Sequence, residues 1–122
     1  LKLLFEEPES ASLEQWLVDR QDIAVVSSEF ARVEVLRATR RLDEARLSAA
    51  RSLVSQLDLV PLAGPLLHEA AEVGGTHLRT LDALHLASAL ALGEVLSAFV
   101  VYDPRLAAAA AGAGLAVQQP GR

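Results

Sequence analysis

The chain has 122 residues, 52% of them hydrophobic and 22% charged, a formal net charge of −5 and no cysteine. Such a chain can bury a core as one soluble domain, and its composition excludes disulfides, thiolate metal sites and any bulk electrostatic pull on nucleic acid. No apolar run approaches the ~20 residues of a membrane span and no secretory signal is visible; the lack of cysteine suits a reducing cytosol, and a cytoplasmic protein is expected.

The chain opens on Leu1, inside an apolar run, Leu1–Phe5, that reads as a helix entered midway and implies residues before it. Pro8 lacks the N–H needed to continue that helix. A second helix is predicted from about Glu9 to Asp19, with Leu13, Trp16 and Leu17 on one face. Trp16 is expected in the core rather than as a ligand platform. Ile23–Val26 reads as a strand. Ser27 or Ser28 then caps a helix beginning near Glu29, with Phe30, Val33, Leu36 and Arg37 at helical spacing. Asp43 caps the next helix, whose stripe is Leu47, Ala50, Leu53, Val54 and Leu57. A short extended segment follows at Asp58–Leu62, then a helix from about Pro65 to Val73 that ends on Gly74-Gly75. None of the three histidines, His68, His77 and His85, has the partner spacing of a zinc site such as H-E-x-x-H.

The stretch Thr80–Asp103 carries the most information. Leu81, Leu84, Leu86, Ala87, Leu90 and Ala91 recur at three- and four-residue steps, which predicts a helix buried on more than one side. Thr80 is placed to cap it and Gly93 to end it. The run Ala98–Tyr102 is apolar without alternation, as a central strand covered on both faces would be. It ends on Asp103, and in open α/β sheets ligands gather beyond the carboxyl ends of such strands. An alanine-rich helix then starts at Asp103-Pro104, closes at Gly112 and Gly114, and leads to a last strand at Leu115–Val117. Strands alternating with helices indicate βαβ units and a parallel sheet.

Each candidate functional residue has a structural reading beside the chemical one. Glu34 lies one turn beyond Phe30, so it is either paired with Arg37 or Arg41, or exposed, or serves a site. Asp82 sits in the first turn of its helix, and Asp103 is a natural cap. His85, one turn after Asp82, is a satisfied interior histidine, a partner of that acid, or a substrate contact. Residues 32–51 hold six arginines (32, 37, 40, 41, 46 and 51) against Glu34, Asp43 and Glu44. That excess is a solvated helical face or a phosphate-binding surface.

Four pieces in register carry a resemblance: Ser27-Ser28, the run Arg32–Ala38 (RVEVLRA), the run Leu81–Ala87 (LDALHLA), and Val101–Leu106 (VYDPRL). Together they resemble the PIN-domain family, and within it the VapC-type toxins of bacterial toxin–antitoxin pairs. The resemblance implies a three-layer α/β/α sandwich with a central, mainly parallel sheet, over 1–122 as a single domain whose first strand precedes this chain. It implies a metal-dependent endoribonuclease that hydrolyses RNA phosphodiesters with metal-activated water. The family's acidic cluster, carried over, falls on Glu34, Asp82 and Asp103; its remaining acid would lie in the segment before Leu1. Mg²⁺ is the implied cofactor, with Mn²⁺ as substitute, since both prefer oxygen ligands. Because an acidic pocket repels RNA, Arg37, Arg40, Arg41 and His85 are the expected RNA contacts. The implied partners are a tRNA or rRNA substrate, a second copy of the chain, and a cognate VapB-type antitoxin laid along a groove; leucines in Leu1–Phe5 and Leu13–Leu17 could line it or could equally be core.

Two other classes are compatible with the residues. One is a catalytically inert PIN-like module that only binds protein. The other is a receiver-like signalling domain, but that fold needs a lysine after its fifth strand, and Lys2 is the only lysine here.

Overall fold

The computed structural model describes residues 2–122. The chain folds into two compact units, one running up to Leu59 and taking in Pro120–Arg122, the other spanning Val60–Gln119.

The first unit begins with turns, not with the expected helix. Ser10 ties these turns together: its Oγ accepts from the Glu7 N–H (2.9 Å), and its single O–H lies within hydrogen-bond reach of the carbonyls of Lys2 (2.6 Å) and Phe5 (3.1 Å). Leu1 lies outside the described residues. Leu4 and Leu13 are buried, so these leucines build core rather than line an open groove. Helix α1 (Ser10–Val18) matches its predicted span within a residue at each end. Trp16 is half-buried rather than in the core, and the guanidinium of Arg20 covers its ring at 4.1 Å.

Strand β1 (Val26–Ser28) starts where the predicted strand was to end. Ile23 is held in a turn by its N–H bond to the Arg20 carbonyl (3.0 Å), and Ile23, Ala24 and Val25 are exposed. β1 pairs with β2 (Asp58–Val60) in a two-stranded sheet. Helix α2 (Ala31–Leu42) buries Ala31, Ala38 and Thr39, and Val33 is 56% exposed. The inward stripe is therefore made of small residues, which suits close packing on α3 (Leu47–Ser55), where Ala50 and Val54 are buried. Buried Thr39 satisfies its hydroxyl on the Val35 carbonyl (2.8 Å). Asp43 starts the turn before α3, as expected, by accepting from the Ala45 N–H (3.1 Å). The last residues return to α1: Arg122 donates to Glu9 Oε1 (2.8 Å) while Lys2 donates to Glu9 Oε2 (3.1 Å).

The second unit contains α4 (Gly64–Glu72), α5 (Thr80–Leu92), β3 (Phe99–Val100), α6 (Pro104–Gly112) and β4 (Val117–Gln118). α5 packs on α4 and α6. Its buried face is Ala83, Leu86, Ala87, Ser88 and Ala89; Leu81, expected inside, is 51% exposed. Thr80 is the first helical residue, not the cap: Arg79 holds the cap position and its side chain makes no cap bond. Gly93 ends α5 with φ +57°, a conformation other residues rarely adopt. Leu86, Val101, Leu106 and Ala110 form the core cluster, with Leu78, Leu90, Phe99, Leu115 and Val117 packed around it.

β3 and β4 run parallel, Phe99 opposite Val117 and Val100 opposite Gln118, with α6 as the crossover. The mixed α/β architecture with parallel pairing is thus the one expected. The strands are shorter than their apolar runs, and among the described residues they pair as two separate two-stranded sheets. No helix among the described residues is long and apolar enough to cross a membrane.

Candidate active site

The second unit places two of the expected acids on one cleft. Asp82 occupies the first turn of α5, where a carboxylate is favoured by the helix dipole. Asp103 follows β3 at its carboxyl end and caps α6. Its Oδ1 accepts from the N–H groups of Arg105 (2.9 Å) and Leu106 (3.0 Å), and Pro104 fills the first helical position, where no N–H is needed. Both cap bonds fall on Oδ1, so Oδ2 remains for another ligand. The strand end that delivers Asp103 is held by Gln119, whose Nε2 donates to the Val101 carbonyl (2.9 Å).

A cleft of about 330 Å³ is lined by Arg79, Asp82, Asp103, Pro104 and Arg105. Asp82 is half-buried and Asp103 exposed. With no sulfur and no imidazole in its lining, the donor set suits a hard divalent cation that keeps several of its waters. Among the described residues no three His, Asp or Glu side chains gather closely enough to hold a metal ion.

The remaining expected residues are Glu34 and three arginines of the first unit, and His85 of α5. Glu34 is on α2 in the first unit, exposed, between the buried Ala31 and Ala38 along the helix. His85 is half-buried one turn after Asp82 and is not among the residues lining the cleft. Arg37, Arg40 and Arg41 are all exposed on α2. Arg40 is partly neutralised by Glu44 (3.7 Å), and Arg46 is engaged by Asp43 (3.4 Å) and by the Leu4 carbonyl. Sequence reasoning missed Arg79 and Arg105. Each stands two or three residues from one of the acids, but nothing in the sequence joins the two helix starts into one cleft.

Asp103 beyond the carboxyl end of a parallel strand and Asp82 in the first turn of a helix, on one cleft, belong to a mixed α/β domain. The chain belongs to the PIN-domain family, whose model, described as PIN domain, matches residues 1–112. It is 37% identical to ribonuclease VapC47 of Mycobacterium tuberculosis (strain CDC 1551 / Oshkosh), over 98% of this chain and 90% of that protein. It is 39% identical to ribonuclease VapC35 of the same strain, over 100% of this chain and 92% of that protein. It is 40% identical to ribonuclease VapC46 of Mycobacterium tuberculosis (strain ATCC 25618 / H37Rv), over 98% and 91%. No solved structure matches the chain.

Proposed function

We propose that this protein is a metal-dependent endoribonuclease, the toxin of a toxin–antitoxin pair, acting in the cytoplasm as a single PIN-like domain. The observation that carries the reading is the pairing of Asp82 and Asp103 on one cleft in a chain of this family. The ribonuclease names of its relatives supply the reaction class.

Asp82 and Asp103 would hold Mg²⁺, or Mn²⁺ in its place, with Glu34 as the third acid; Glu34 rests on the family pattern alone. The cation's contribution is Lewis acidity, which neutralises the phosphate and makes a nearby water a better nucleophile. The chain's own groups do the rest. Asp103 is kept in place by its two cap bonds and by the Gln119 tether on the preceding strand, so its free oxygen is pre-positioned. On α2, Arg37 and Arg41 offer charge to RNA phosphates, Arg40 less so, and His85 adds a polar group one turn along α5 from Asp82.

The RNA is proposed to be a tRNA or rRNA. A second copy of the chain and a VapB-type antitoxin are the proposed protein partners. Support for partner surfaces comes from exposed Val18, Val33, Leu42 and Leu67, and from an apolar cleft of about 450 Å³ whose walls include Leu67, Ala70, Val73, Leu78 and Leu84.

The test is cleavage of total RNA by the protein with Mn²⁺ or with chelator, compared with Asp103→Asn. Cleavage is expected with Mn²⁺ and lost in the other two conditions while the variant stays folded. Cleavage that survives both chelator and the substitution overturns the metal mechanism. A folded protein that cuts no RNA returns the reading to a protein-binding module.

A further inference from the structure

We infer that Arg79 and Arg105 are the substrate-gripping residues of the cleft, each binding phosphodiester oxygens of single-stranded RNA beside Asp82 and Asp103. The inference rests on the ribonuclease reading and adds to it two residues from outside the acidic cluster and the α2 arginines.

The argument begins with where these arginines stand. Arg79 immediately precedes α5 and Arg105 lies in the first turn of α6. Helix N-termini carry partial positive charge and favour anions, so an arginine there opposes the helix dipole. Helix stability accounts for Asp82 and Asp103 but not for their basic neighbours. Both arginines are exposed, both line the cleft, and among the described residues neither comes within ion-pair distance of a carboxylate. They are therefore unspent cations beside two acids.

A second observation concerns α5 itself. Its cap position is held by Arg79, which has no side-chain acceptor to offer, and no side-chain cap bond is made. The N–H groups of the first turn are left for an anion from outside, which is how helix N-termini take up phosphate. Charge points the same way. The molecule carries −5 overall and repels a polyanion, so a productive encounter needs positive charge at the site of reaction. The lining balances two carboxylates against two guanidiniums. Once a divalent cation neutralises the carboxylates, the guanidinium charge is left to the substrate. Arginine also fits the task better than lysine, because its planar fork donates two parallel hydrogen bonds to a phosphate.

The experiment is steady-state cleavage, with Mn²⁺, of an RNA oligonucleotide copied from a site that the wild-type protein cuts in total RNA. Arg79→Gln, Arg105→Gln, the double variant and the two Arg→Lys variants are compared, with folding checked by thermal melting. Each Gln variant is expected to raise KM several-fold with kcat within about twofold. The slope of log kcat/KM against log salt should become shallower by about 0.7 for each phosphate that is no longer held, the value for single strands. Arg→Lys should restore the slope but only part of KM, since the charge returns without the fork. Unchanged KM and slope in a folded double variant overturn the proposal and leave the ribonuclease reading standing. So does a loss confined to kcat. Unchanged kinetics with weakened antitoxin binding would assign the arginines to the protein partner, which also overturns it. A wild-type protein that cuts no RNA withdraws the ribonuclease reading, and this inference with it.

Discussion

Asp103 carries two duties in one side chain, and substitutions can separate them. Its Oδ1 caps α6 while its charge belongs to the cleft. Asparagine is as good a cap as aspartate, so Asp103→Asn should leave the melting temperature nearly unchanged and abolish metal-dependent cleavage. Asp103→Ala should abolish cleavage as well and lower stability by about 1 kcal/mol in urea titrations, the usual cost of losing a cap. The sequence offered both readings of this residue as rivals, and the cap duty is plainly met. Asp82 was equally legible, because helix periodicity fixed its place in a first turn. The arginines were not, because nothing in linear spacing says that two separate helix starts share a cleft. Glu9 shows another limit. In the sequence it marked only the approximate start of the second helix, yet it is buried between Arg122 and Lys2. The hydrogen bonds from Arg122 and then Lys2 pull its carboxyl from 4.5 down to about 2. A depressed folded pKa means stabilisation that is complete above pH 4.5 and is lost as pH falls towards 2. Wild-type melting temperature should therefore drop across that window more steeply than that of Glu9→Gln.

Elements were legible where one local rule decided them. The Asp-Pro start of α6, the Gly93 stop of α5 and the Asp43 start before α3 all follow from local chemistry, and all are in place. Elements were misplaced where tertiary partners decided them. The apolar run Ile23–Val26 has strand composition along its length, but only Val26 joins β1. On α2 the larger apolar residues drew the predicted stripe, whereas the real one uses Ala31 and Ala38, because a close helix neighbour selects for small side chains. Two substitutions test the packing of the second unit. Leu86 is fully buried at the centre of its core, so Leu86→Ala should lower unfolding free energy by about 2–5 kcal/mol. Gly74 turns the chain out of α4 at φ +80°, and a Cβ there would collide with the Leu78 side chain. Gly74→Ala should thus destabilise by more than about 1 kcal/mol, measured by urea titration.

For the whole molecule, a net charge of −5 makes RNA binding a matter of local patches working against the average. The α2 arginines are not equivalent. Arg40 faces Glu44, whereas among the described residues Arg37 and Arg41 have no ion-pair partner. Replacing Arg37 and Arg41 together with Gln should weaken RNA binding and flatten its salt dependence, while Arg40→Gln alone should do much less. Equal effects from all three would show that the Glu44 pair does not hold in solution. The tie between Arg122 and Glu9 spans 113 residues of chain and belongs to the order in which a polypeptide is made. Glu9 leaves the ribosome early and meets Lys2 at once; its stronger partner emerges only after the whole second unit has been synthesised. Closing so long a loop costs little more than closing one of half the length. What it imposes is a delay: until Arg122 is free of the exit tunnel, the first unit carries a half-paired acid in its interior. A nascent chain stalled before Arg122 emerges should accordingly be cut by protease more readily than one stalled after it.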